Sequence, residues 1–247
     1  MSRDPARRAG SPLVVALLCA GLIAVAALAY VADRKPPPPP ATAVTAKPEL
    51  MLLTSLPLVF AEQFGLDGGG SPALVALAMH YKVTPIGIAD ARTLGKRRLL
   101  LMAHPRAQPA EALVELDRWV RGGGRLLLLA DPMLEWPSER PLGDPLRPPP
   151  AFADTGLLKH WGLRLDAPDE RGPVERRLGG LAIRAVSPGA LAGGCAISSD
   201  RLVAYCRIGQ GAATIVADAD FLDVGQTDGP TENNLAAILV ELAGLER

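Results

Sequence analysis

The segment from Pro109 to Asp131 constrains the fold more than any other. Pro109 opens a stretch in which Leu113, Leu116 and Val120 recur on one helical face, with Trp119 flanking it. Asp117 and Arg121 stand one turn apart on the polar side. Gly122-Gly123-Gly124 then stops the helix, because glycine accepts the left-handed conformation that a helix end calls for. Leu126-Leu127-Leu128-Leu129-Ala130 follows as an uninterrupted apolar run ending in Asp131, the signature of a strand covered on both faces. With the earlier run Arg98 to Ala103, this makes a strand–helix–strand unit, and such units build right-handed parallel sheets.

The same alternation extends over the chain from Glu49. Leu50 to Leu53 is a short apolar strand, and Ser71-Pro72 reads as an N-cap with proline in the first turn of a helix through Tyr81. Val83 to Ala89 is predicted as a strand, Phe152 to Trp161 as a helix and Leu163 to Leu165 as extended. Leu178 to Val186 supplies antiparallel strands, and Ala212 to Ala217 a last buried strand ending at Asp218-Ala219-Asp220-Phe221. Leu235, Ile238, Leu239 and Leu242 mark a C-terminal helix predicted to begin near Pro230 or Thr231. The expected fold class is α/β.

Ahead of this domain lie different kinds of sequence. Arg3, Arg7 and Arg8 precede an uncharged run from Leu13 to Ala32, long enough as a helix to cross a bilayer of ~30 Å. A signal peptide ending near Ala27-Leu28-Ala29 is the rival reading, but the run exceeds an ordinary signal core of roughly 7–15 residues. The expected organisation is a cytoplasmic N-terminus (1–12), a transmembrane anchor (13–32), a proline-rich stalk (33–48) and an extracytoplasmic α/β domain (49–247). Inner-membrane attachment and a domain outside the cytoplasm follow from it.

Two cysteines fit that compartment. Cys195 and Cys206 flank a predicted hairpin around Ser198-Ser199-Asp200-Arg201, and pairing positions that sum to 401 sets them opposite each other. A Cys195–Cys206 disulfide is therefore predicted.

Composition excludes some functions. Basic and acidic residues number 26 each, so the net charge is zero and a nucleic-acid surface is not expected. Only 4% of residues are aromatic, too few for a stacking platform for bases or sugars.

Two stretches carry a resemblance. Leu99 to Pro105 with Leu116 to Pro132 is one; Gly209-Gln210-Gly211 to Leu222, followed by Asn233-Asn234-Leu235, is the other. Together they resemble the auxiliary component of uncharacterised or gliding-motility-type ABC transporters. The resemblance implies a flavodoxin- or class I glutamine-amidotransferase-like three-layer sandwich. An antiparallel β-hairpin extends it and one transmembrane helix precedes it. It also implies an accessory or scaffold role beside ABC transporter permease and ATPase subunits.

A catalytic site is not expected. An amidotransferase-like enzyme sets its nucleophile directly after a central strand, where this chain has Asp131. Pro132 then lacks the N–H that helps form an oxyanion hole. No Gly-x-Cys-x-Gly or Gly-x-Ser-x-Gly elbow occurs. His80, His104 and His160 are scattered, so no metal site is expected, and Gly68-Gly69-Gly70-Ser71 lacks the lysine of a phosphate loop, so neither is a cofactor.

The candidates for ligand or partner binding lie at the carboxyl ends of strands, where α/β domains hold ligands. They are His104, Asp131, Asp218 and Asp220, with Asn234 opening the last helix. Trp136 joins them, read as exposed in the loop from Asp131 to Pro150, which holds seven prolines. Alternatives to the accessory role are a module binding envelope glycan or peptide, and a hydrolase using Asp131, Asp218 and Asp220.

Overall fold

A computed structural model describes residues 46–60, 70–225 and 230–247. The chain divides into two units, Met1–Ala46 and Lys47–Arg247, and the second is the one described below. The expected anchor, the proline run, Gly68 and Gly69 lie outside the described residues. Among the described residues no helix is long and apolar enough to cross a membrane.

The second unit is a mixed α/β domain around a seven-stranded sheet. The strands of its parallel part are β1 (Glu49–Thr54), β2 (Lys82–Ile86), β3 (Leu99–Ala103), β4 (Arg125–Leu129) and β11 (Gly211–Val216). At one side β10 (Val203–Ile208) pairs antiparallel with β11, and β9 (Ala196–Ile197) antiparallel with β10, giving the order β2-β1-β3-β4-β11-β10-β9. Leu126 to Ala130 are completely buried, as their unbroken apolar run requires.

Side chains alternate between two cores, one on each face of the sheet. Leu50 and Leu52 pack with α1 (Pro72–His80) and α5 (Asn234–Leu245), through Leu77, Ile238 and Leu242. Met51 and Leu53 point the other way, toward α2 (Ala91–Leu94), α3 (Ala110–Arg121) and α4 (Leu157–His160). Ser71 caps α1 by accepting the N–H of Leu74 at 3.1 Å, with Pro72 in its first turn. Asp117 receives Arg121 Nε at 2.8 Å, and Gly123 takes φ +107° where α3 ends.

The remaining strands form two antiparallel pairs: β6 (Pro173–Leu178) with β7 (Leu181–Val186) as a hairpin, and β5 (Leu163–Asp166) with β8 (Ala190–Gly193) across it. The turn between β6 and β7 is Gly179-Gly180, both at positive φ, as a two-residue hairpin loop demands.

The cysteine hairpin has the predicted register. Tyr205 pairs with Ala196 and Ala204 with Ile197, and the Cys195–Cys206 disulfide closes it with the Cα atoms 4.9 Å apart.

Three boundaries differ from expectation. The helix predicted over Phe152–Trp161 exists only from Leu157, because Gly156 is left-handed at φ +104° and Asp154 Oδ1 accepts the N–H groups of Gly156 and Leu158. The C-terminal helix starts at Asn234, whose own N–H closes a turn on Thr231 O at 3.0 Å. Finally, β2 stops at Ile86 rather than Ala89, since Ala89 N–H turns aside to the side chain of Gln108.

Candidate functional site

Parallel packing of β4 against β11 aligns the ends of both strands, so Asp131 and Asp218 arrive at the same edge. Asp220 follows in a short 3-10 turn, Asp220–Leu222. Asp131 and Asp218 are fully buried and Asp220 is 3% exposed. Their oxygens are taken up by backbone amides. Asp131 Oδ1 accepts from Met133 N at 2.8 Å and Oδ2 from Ala219 N at 2.9 Å. Asp218 accepts from Val186 N at 2.8 Å and Phe221 N at 3.2 Å, and Asp220 from Glu135 N at 2.7 Å.

Glu135 joins this group, and sequence reasoning missed it. Its carboxylate accepts the hydroxyl of Ser187, a residue held at φ +46° between β7 and β8 that also accepts the N–H of Gly172. No local signal links positions so far apart in sequence.

Burial raises all three aspartates. Asp131 is pushed up to about 6, against the pull of the Ala219 and Met133 amides. Asp220 is pushed up to about 8, by burial and then by the charge of Asp131. Asp218 is raised well above the usual range by burial, with Asp131 and Asp220 adding to it. Backbone donors engage both oxygens of Asp131 and of Asp218 and one oxygen of Asp220, and these bonds tie together the loop after β4, the end of β7 and the turn after β11. Among the described residues no three His, Cys, Asp or Glu side chains are arranged to hold a metal ion.

His104 follows β3 at φ +44° and is wholly buried. Its Nε2 lies 2.8 Å from Pro149 O, and a carbonyl can only accept, so Nε2 carries the proton. Nδ1 is then an acceptor with no partner among the described residues. Burial depresses the ring to about 4, so it is neutral at physiological pH.

Asn234 is also internal. It bonds both backbone groups of Arg184, at 2.9 and 3.0 Å, and Phe221 O at 2.8 Å. Trp136, expected to be exposed, is half-buried and packs against the core on the α1/α5 face. The proline-rich segment lies down on the domain, and its indole fills apolar space.

An open feature lies nearby. A cavity of about 470 Å³ sits at the carboxyl ends of β1 and β2, bounded by the segment after β3 and by the proline-rich loop. Thr54 and Ser55 come from the end of β1, Ile86 from β2, Arg106 from beyond β3, and Arg140 and Leu146 from the loop. With strand order β2-β1-β3, the chain reverses direction across the sheet between β1 and β3, the place where open α/β sheets leave a crevice. The sequence signal for this site was only that Ser55 and Arg106 lie just beyond buried strands.

No family profile and no curated protein matches the sequence. Several solved structures are similar to this chain at low identity. The exo-β-1,4-mannosidase Op5Man5 from Opitutaceae bacterium strain TAV5 is 16% identical with a TM-score of 0.50, over 79% of this chain and 36% of that one. A β-galactosidase from Rahnella sp. R3 is 15% identical with a TM-score of 0.44, over 81% of this chain and 32% of that one. The cytoplasmic protein STM1381 from Salmonella typhimurium LT2 is 11% identical with a TM-score of 0.49, over 80% of this chain and 99% of that one. This chain spans about a third of the length of the two glycosidases. At 16% identity the likeness to the mannosidase is one of fold alone, and the strand order given above makes that fold an α/β domain with a mostly parallel central sheet.

Proposed function

We propose that this chain is a non-catalytic, membrane-anchored accessory subunit of an ABC-type transport system in the cell envelope. It contacts its permease or ATPase partners through the carboxyl edge of the sheet and the proline-rich loop. In this reading the N-terminus is cytoplasmic and the domain stands outside the membrane. The domain fold is of the flavodoxin or class I glutamine-amidotransferase kind. The order β2-β1-β3-β4-β11, with helices on both faces, supports that assignment.

The observation that carries the non-catalytic part is the state of Asp131. It occupies the nucleophile's place after a central strand, yet both its oxygens are engaged by backbone amides and the following Pro132 offers no N–H. The Cys195–Cys206 bridge supports an oxidising compartment.

A hydrolase reading would use Asp220, whose raised carboxyl suits a general acid. Its near-complete burial and the bond from Glu135 N to one of its oxygens weigh against that reading.

The test is affinity purification of the tagged full-length chain from detergent-solubilised membranes, read by mass spectrometry. Co-recovery of an ABC permease or ATPase is expected; recovery of neither overturns the accessory role.

A further inference from the structure

We infer that the crevice at the carboxyl ends of β1 and β2, beside the segment after β3, is a binding site for a small apolar carboxylate. This goes beyond the accessory reading and does not depend on it. Three observations carry it: the volume, the fixed walls and the sign of the charge.

A cavity of about 470 Å³ lies within the range of roughly 300–1,000 Å³ that small-molecule sites occupy. Its wall is mainly apolar, with Leu52, Leu56 and Ile86 inside. Leu146, 65% exposed, and Phe60, 82% exposed, stand at the rim. Large apolar side chains left in water beside a cavity favour a ligand with an apolar body.

The crevice is held in shape without the ligand. Thr54 Oγ1 donates to Ala103 O at 2.8 Å and accepts Leu56 N at 2.9 Å, while Ser55 Oγ donates to His104 O. These bonds tie the ends of β1 and β3 together. They also commit both hydroxyls to backbone groups, so the polar recognition falls to the arginines.

Among the described residues lining the cavity, Arg106 and Arg140 are the charged ones, and none is a carboxylate. Arg140 leans toward Asp144 at 3.8 Å. One nitrogen of Arg106 donates to Arg147 O at 2.5 Å, which orients the guanidinium against the loop and leaves its other edge for a ligand. A guanidinium edge matches the two oxygens of a carboxylate. A phosphate head brings a higher charge and calls for more donors than the committed hydroxyls leave.

The experiment uses the full chain in lipid nanodiscs and 4-phenylbutanoate, followed by isothermal titration calorimetry against empty nanodiscs. Saturable sub-millimolar binding is expected. The neutral 4-phenylbutan-1-ol should bind roughly tenfold more weakly, because one charge-assisted contact is lost. Arg106→Gln should cause a similar loss without changing the melting temperature, since Arg106 is exposed. Leu146→Asp should weaken binding through the rim. Absence of saturable heat, equal binding of the alcohol, an unaffected Arg106→Gln variant, or tighter binding of 4-phenylbutyl phosphate would each overturn the assignment.

Discussion

Asp131 Oδ2 accepts the backbone N–H of Ala219 across 88 positions of sequence, at 2.9 Å. That bond fastens the end of β4 to the turn after β11, and the other oxygen holds the start of the proline-rich loop at Met133. Asp131→Ala would strand two N–H groups, and each buried unpaired amide costs about 1–3 kcal/mol. The variant should lose about 2–6 kcal/mol in chemical denaturation, and a proteolysis time course should show the first cuts in the loop after β4.

Stability should fall with rising pH. An unfolded aspartate titrates near ~3.9, whereas Asp131 in the fold titrates at about 6 and Asp220 at about 8. A carboxyl raised in the native state gives its full stabilisation below the unfolded value and loses it as pH climbs through the folded one. The expected loss between pH 5 and pH 9 is on the order of a few kcal/mol, by denaturant midpoints at each pH. Asp220→Asn keeps an acceptor for Glu135 N–H and should flatten the upper part of the curve.

On the acid side Asp117 works in the opposite sense. Partial burial acts against it, but bonds from Arg121 and Trp161 hold its carboxyl below the ordinary value. Its contribution is present near neutrality and fades as pH drops below the unfolded value. Asp117→Asn should therefore lower the melting temperature at pH 6, and by less as the pH is taken down below the unfolded value of ~3.9.

The Cys195–Cys206 bridge closes a short loop, and chain-entropy reasoning puts such a bridge at about 2–3 kcal/mol. Replacing both cysteines with serine should lower the denaturation midpoint accordingly. Alkylation of the unreduced protein should label neither position.

Gly211 begins β11 under the end of α3. A Cβ there would overlap the carbonyl oxygens of Val120 and Gly124. Gly211→Ala should cost more than about 3 kcal/mol or abolish soluble expression, because the obstruction is backbone on both sides. Gly194→Ala, where a Cβ meets nothing within 4 Å, is the control and should melt like the parent.

The sequence was most readable where burial is local and uniform. Leu126 to Ala130 reads as an interior strand, and the hairpin register followed from centring the pairing on the polar turn Ser198 to Arg201 between apolar flanks. Asp131, Asp218 and Asp220 could be placed together because each follows such a strand. What escaped depends on contacts between distant segments. Glu135 meets Ser187 only because two loops converge, and seven prolines hid the fact that Trp136 turns inward. The crevice draws on β1, β2, the segment after β3 and the loop at once, and no single stretch of sequence marks it. Helix ends were misplaced at Leu157 and Asn234 because side-chain and turn hydrogen bonds at Asp154 and Thr231 outcompeted the apolar periodicity.

The two margins of the sheet close the molecule against its own kind. On one side β9 is only two residues long and is sealed by the Cys195–Cys206 bridge. On the other, β2 carries Pro85, which has no N–H to offer, and an exposed Lys82. Neither margin offers a long row of free backbone groups for a second copy to add a strand. Crowded side by side, these domains would be discouraged from polymerising through their sheets, and self-association would have to use side-chain surfaces instead.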